Sequence, residues 1–229
     1  MMRFTGQHVI ITGASTGIGR ATAERIVAEG GRVSLIARTV AKLAEAAEVL
    51  GPAALPLPCD VGDKAALLAA LDQAVTHHGP VDGLFLNAAA EGMYGPTPDY
   101  TDAALEEVLR VNAVSPFWAV RHLLPGMIAR GRGAILVTGS LGAETGMEGN
   151  VGYLMAKHAV LGLARGVAME AAPHGVRCNC INPGFIDTPM LAGTPDDFKA
   201  AMAARVPQER IGRPEEAAAL AAFLLSNDA

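Results

Sequence analysis

Short apolar runs alternate with longer amphipathic stretches along this chain, and that alternation constrains the fold more than any single motif. The runs cover 8–12, 32–37, 54–58, 81–87, 133–138 and 176–181, and each reads as a strand. The stretches 18–29, 40–50, 63–78, 102–130 and 151–171 between them read as helices. Gly30-Gly31, Gly51-Pro52 and Gly79-Pro80 close three of these. A short helix is expected near 195–205 and a last one over 214–225. The strand runs lack period-two polarity, so they have no water-facing side. An α/β fold with an open, parallel, doubly wound sheet and helices on both faces follows. Pro56 and Pro58 place the third strand at a sheet edge, where a missing N–H is tolerated. Neither a linker nor a repeat divides the 229 residues, so one domain over 1–229 is expected.

Several function classes fall away on composition. The apolar fraction is 51%, but no run approaches the ~18 residues of a membrane-spanning helix. Met1-Met2-Arg3-Phe4 lacks the apolar core of a secretory signal. A net charge of −5 with no basic tract argues against a nucleic-acid partner. Cys59, Cys178 and Cys180 show no CxxC spacing, which suits a reduced, cytoplasmic chain. The six histidines have no ligand spacing, so no metal site is expected.

Between the first strand and first helix lies Thr12-Gly13-Ala14-Ser15-Thr16-Gly17-Ile18-Gly19. Glycine lets the chain turn sharply and brings backbone N–H groups close to a pyrophosphate. The helix N-terminus adds partial positive charge. Strand before and helix after is the context a dinucleotide site needs. Dinucleotide folds then place an acidic residue about 20 positions on, for the ribose 2′-hydroxyl. Here Ala37-Arg38-Thr39 ends the second strand with no carboxylate. Arg38 pairs with a 2′-phosphate where a carboxylate would repel it, so NADP(H) is favoured over NAD(H).

Tyr153-Leu154-Met155-Ala156-Lys157 lies inside a helical pattern. Positions i and i+4 share one face, so the Lys157 ammonium is expected to lower the Tyr153 pKa and make it a general acid/base. Ser140 closes the fifth strand, at the sheet edge where ligands bind.

The T-G-x-x-x-G-x-G spacing resembles the short-chain dehydrogenase/reductase family, a Rossmann-like single-domain type, and the likeness runs over nearly the whole chain. The resemblance implies a cofactor turn at Gly13, Ser15, Thr16, Gly17, Ile18 and Gly19. Asp60-Val61 looks like the family's D-V pair, with Asp60 on the adenine amino group. Asn87-Ala88-Ala89 looks like its N-A-G. Pro183-Gly184-Phe185-Ile186-Asp187-Thr188 looks like P-G-x-x-x-T, with the Ile186 backbone and Thr188 on the nicotinamide carboxamide. The family's tetrad is Asn112, Ser140, Tyr153 and Lys157 in this chain. The implied roles are proton transfer at Tyr153 and a hydrogen bond from Ser140 to the substrate oxygen. Lys157 would hold the nicotinamide ribose, and Asn112 a water that links Lys157 to solvent.

The expected reaction is hydride transfer between a nicotinamide cofactor and a ketone or secondary alcohol. The alternative is a cofactor-binding regulator without turnover. Met93, Tyr94, Met147, Phe185, Met190 and Leu191 are expected to line an apolar substrate pocket, with Glu144 and Glu148 as its polar members and residues 190–205 as a lid. The segment from Glu91 and the run Gly146-Met147-Glu148-Gly149-Asn150 resemble relatives acting on cyclic alcohols and ketones. A homodimer or homotetramer is expected, packed through the helices that carry Asn112 and Tyr153. The family usually adds a seventh strand after the last helix. This chain stops at Ala229, so a truncated C-terminus and a sixth strand left as an apolar edge are expected.

Overall fold

The computed structural model describes residues 2–229. Six parallel strands form one sheet: β1 His8–Thr12, β2 Arg32–Ala37, β3 Ala54–Pro58, β4 Gly83–Leu86, β5 Gly133–Thr138 and β6 Val176–Ile181. Their order is β3-β2-β1-β4-β5-β6, so the proline-bearing β3 and the C-terminal β6 are the edges. The crossover helices are α1 Gly17–Ala28, α2 Val40–Leu50, α3 Lys64–His78, α4 Asp102–Leu109, α5 Ser115–Arg130 and α6 Val151–Ala171. Two more follow β6: α7 Asp196–Ala204 and α8 Pro214–Leu225.

The side-chain alternation of each strand feeds two cores. Ile10, Leu84, Leu86, Ile135 and Val137 point to one face, with α3, α5 and α6. Val9, Ile11, Phe85, Ala134 and Leu136 point to the other, with α1, α2 and α8. Both faces are dry, which is why these strands carry no polar positions in period two. Truncating a fully buried ring such as Phe85 to Ala costs about 3–5 kcal/mol.

Two elements differ from the sequence reading. β4 is shorter than 81–87, because Asp82 already accepts from the His8 amide and Asn87 turns away to Thr12. The stretch 102–130 is not one helix. A π-helical turn, Arg110–Val114, separates α4 from α5. The Asn112 side chain is pulled onto the Ala90 backbone there. One-turn π segments of this kind often mark functional sites.

The topology leaves a crevice beyond the carboxyl ends of β1 and β4, where chain direction across the sheet reverses. No helix among the described residues is long and apolar enough to cross a membrane.

Candidate active site

An open cleft of about 1380 Å³ runs along the carboxyl ends of the strands. Gly13, Thr16, Gly17, Ile18 and Arg38 line one end; Ser140, Tyr153 and Lys157 line the other, with Asn87, Ala88 and Ala89 between. Pro183, Gly184, Ile186 and Thr188 close its far wall. Residues scattered over the whole chain therefore meet in one place.

Ser15, Gly19, Asp60, Val61 and Asn112 are not in the cleft wall. Gly19 is buried, and a Cβ on it would stand 2.3 Å from the Gly13 carbonyl oxygen. Its glycine serves close packing of α1 on the turn. The Asp60 carboxylate accepts from the Gly62 amide at 2.9 Å, and Val61 packs in the core. Both ends of the Asn112 amide are engaged on Ala90, at 2.7 Å to its N–H and 2.8 Å to its carbonyl.

At the glycine turn, Thr16 caps α1 without a side-chain hydrogen bond. The first N–H groups of the helix, at cleft-lining Gly17 and Ile18, therefore lack a side-chain cap and suit an anion. Thr12 braces the turn by accepting from the Asn87 and Ala88 amides at 3.0 and 3.1 Å. Arg38 is exposed and, among the described residues, makes no side-chain hydrogen bond or ion pair. Arg20, by contrast, is tied to Glu24 and Glu45.

At the other end, Ser140 follows β5 in extended backbone, and its hydroxyl oxygen accepts from the Gly142 amide at 3.1 Å. The Ser140 hydroxyl acts on the Tyr153 phenol and favours its ionised form. Lys157 is 2% exposed; its Nζ donates to the Thr138 carbonyl at 2.8 Å and lies 5.5 Å from the Tyr153 ring centre.

The expected lowering of the Tyr153 pKa by Lys157 is not what the structure shows. Burial pushes the phenol above its ordinary 10, the Ser140 hydroxyl opposes this, and Tyr94 and Glu91 add to the rise. The Lys157 ammonium is turned to Thr138 rather than to the phenol. Burial also pushes Lys157 down, from 10.5 to about 8.

The substrate end carries Met93, Tyr94, Met147, Phe185, Met190 and Leu191, with Glu91 and Glu148. Glu144 is elsewhere, accepting from the Asn182 amide at 2.6 Å. Asn182 in turn accepts from the Ser140 amide, which fixes the loop that carries Ser140. Sequence reasoning assigned no role to Thr138 or Tyr100, and named Asn150 only within the run 146–150. Asn150 had a signal: an Asn before a helical pattern is a cap. No group of three or more metal-ligating side chains is assembled among the described residues.

The comparisons agree with this geometry. Residues 13–229 match the family described as enoyl-(acyl carrier protein) reductase. The levodione reductase of Leifsonia aquatica is 37% identical, over 99% of this chain and 90% of that protein. The cyclohexanol dehydrogenase of an Acinetobacter strain is 33% identical, over 99% of this chain and 90% of that protein. A crystal structure of levodione reductase superposes with a TM-score of 0.95 at 35% identity, covering 99% of this chain and 93% of that one. With its strand order, glycine turn and Ser140–Tyr153–Lys157 cluster, the chain belongs to the short-chain dehydrogenase/reductase family.

Proposed function

We propose that this protein interconverts a ketone and a secondary alcohol, with NADP(H) as preferred cofactor and a small, mostly apolar ring as substrate. The observation that carries the reading is the Ser140–Tyr153–Lys157 cluster, at one end of a cleft whose other end is the glycine turn.

The residues fit a nicotinamide dinucleotide. The cleft exceeds the ~300–1,000 Å³ of a site for one drug-sized ligand, which leaves room for a dinucleotide and a substrate together. The N-terminus of α1 would receive the pyrophosphate, and the Arg38 guanidinium would pair with a 2′-phosphate. Asp60 lies outside the cleft wall, so a contact with the adenine would require its carboxylate to leave the Gly62 amide. Ile186 and Thr188 receive the carboxamide. Their segment is braced by Asp187 and Gly212 at 2.8 Å and by Gly212 and Phe185 at 2.9 Å. The bound cofactor would supply the hydride chemistry.

Tyr153 delivers a proton to the ketone oxygen, and the raised phenol pKa keeps that proton in place at neutral pH. The Gly142 amide polarises the Ser140 hydroxyl, which then bonds the same oxygen. Lys157 holds the ribose hydroxyls. Asn112 spends its side chain on Ala90, so any water it holds falls to its main-chain carbonyl, inside the π-turn.

The apolar lining supports a ring substrate, as do the names of the levodione and cyclohexanol relatives. A homo-oligomer is supported by Phe117 on α5 and by Met155 and Met169 on α6, which are 46%, 48% and 81% exposed. Gly162 and Gly166 of α6 have open space around them, room for a second helix.

The test is absorbance at the reduced-nicotinamide band with cyclic ketones, α-diketones and open-chain ketones. Turnover of a cyclic ketone with NADPH is expected. Cofactor binding with no turnover on any ketone, in either direction, would favour the regulator instead.

A further inference from the structure

The loop after β4 lines the cleft with residues 89–94, and its Glu91 and Tyr94 lie near enough to act on Tyr153. It is bound at two points to the start of α6 and at a third to Tyr100, just before α4. Asn150 donates through Nδ2 to the Glu91 carbonyl at 2.8 Å. The Gly95 amide donates to the Gly149 carbonyl at 2.8 Å. The Met93 amide donates to the Tyr100 hydroxyl at 3.1 Å. That hydroxyl is wedged between the two segments. A Cβ on Gly92 would stand 2.6 Å from it, and one on Gly152, next to Tyr153, would stand 2.4 Å from it. Glycine at both places is what admits the phenol.

Asn150 also caps α6, because its Oδ1 accepts from the Tyr153 amide at 3.2 Å. An ordinary cap needs only that bond. Asp63 and Thr101 cap α3 and α4 in that way, from exposed positions and within their own helices. Asn150 differs: it is 1% exposed, and its second end reaches a loop 59 residues away. Its two bonds also fix which end of the amide is which, since one partner is a donor and the other an acceptor.

We propose that Asn150, with Tyr100 beside it, is a positioning residue that sets the substrate wall at a fixed distance from the Tyr153 phenol. The proposal rests on the reading of Tyr153 as the acid/base group. A ketone held between wall and phenol must reach near-attack geometry, and a misplacement of about 1 Å can cost on the order of 100-fold in rate. The clamp bonds fall on Glu91, Met93 and Gly95, beyond the cofactor-side residues Asn87, Ala88 and Ala89, so the ketone is expected to feel them more than the cofactor does.

Asn150→Ser and Asn150→Asp separate the two bonds. Both keep an acceptor for the Tyr153 amide; Asp has no donor for Glu91, and the Ser hydroxyl ends one bond short of it. In both, kcat/KM for a cyclic ketone is expected to fall about tenfold or more. KM for NADPH should stay within about twofold, and amide hydrogen exchange in 89–95 should speed up. Tyr100→Phe in the Asn150→Ser background should cost less than in the parent, since the two residues share one loop. The proposal is overturned if loop exchange is unchanged, if the ketone and cofactor constants move together, or if the two variants add. The exchange readout needs no turnover. A protein whose Tyr153→Phe variant keeps full activity would sink the acid/base reading, while the clamp would still be judged by exchange.

Discussion

Lys157 donates its ammonium to the Thr138 carbonyl at 2.8 Å, on the strand that leads into Ser140. A buried cation is thereby anchored to the element that carries the neighbouring hydroxyl. The anchoring is expensive. Burial holds Lys157 at about 8 against 10.5, and at 1.36 kcal/mol per unit its charge costs the fold about 3 kcal/mol at pH 7.

Lys157→Met should therefore abolish turnover and leave the protein as stable as before, or more so. The lost bond to Thr138 offsets about 1–2 kcal/mol of the relief. A net gain of about 1 kcal/mol at pH 7 is expected in urea unfolding. The sign follows from linkage: the folded pKa lies below the unfolded one, so the penalty is full below about 8 and fades as pH rises toward 10.5. A loss of more than about 2 kcal/mol at pH 7 would mean that the ammonium stabilises the fold, against this account.

Arg38 bears on cofactor choice. Arg38→Asp replaces a cation with a repelling carboxylate, and the kcat/KM ratio of NADPH to NADH should drop about 10–100-fold. A wild-type enzyme that already prefers NADH would contradict the role given to Arg38.

The glycine turn gives a packing prediction. Gly19→Ala puts a methyl 2.3 Å from the Gly13 carbonyl oxygen, and overpacking of this kind costs about 1–3 kcal/mol. Gly126→Ala is the control. Its Cβ would meet only the tip of Arg130, at 3.6 Å, so it should gain about 0.5–1 kcal/mol from helix propensity. Thermal unfolding of both variants checks the pair; equal melting temperatures would refute the close-packing role of Gly19.

At the opposite end of β1, His8 is fully buried between the Gly79 carbonyl at 3.0 Å and the Ser34 hydroxyl at 2.8 Å. His78 lies 5.1 Å away, ring to ring, and Arg32 and Asp82 act on His8 with opposite signs. Burial lowers His8 from 6.5 to about 4. Between those values the unfolded chain takes up a proton that the folded chain refuses. Stability should fall as pH drops through that window, by up to about 3 kcal/mol. His8→Gln should flatten that slope in urea unfolding at pH 7 and pH 4.5. An unchanged slope would assign the acid sensitivity to other groups.

The contrast between these sites shows what a sequence displays. The strands were legible because a strand covered on both faces must be apolar throughout, as Ile10-Ile11 and Leu136-Val137 are. The edge position of β3 was legible in Pro56 and Pro58, since proline removes a ladder donor. The break at Asn112 was not, because its cause is a bond to Ala90, 22 residues earlier. The Asn150 and Tyr100 clamp was hidden for the same reason. The Lys157 geometry escaped the i, i+4 argument: spacing puts Lys157 on the Tyr153 face, but burial and the Thr138 carbonyl decide where the ammonium points.

The central claim is that Tyr153 moves the proton while a hydride passes to the ketone. The direct measurement is steady-state reduction of a cyclic ketone by NADPH, with the wild-type enzyme and Tyr153→Phe side by side and cofactor binding confirmed for both. Loss of the hydroxyl should lower kcat by about 100- to 10,000-fold with cofactor affinity nearly unchanged. Equal turnover by the two proteins would contradict the account.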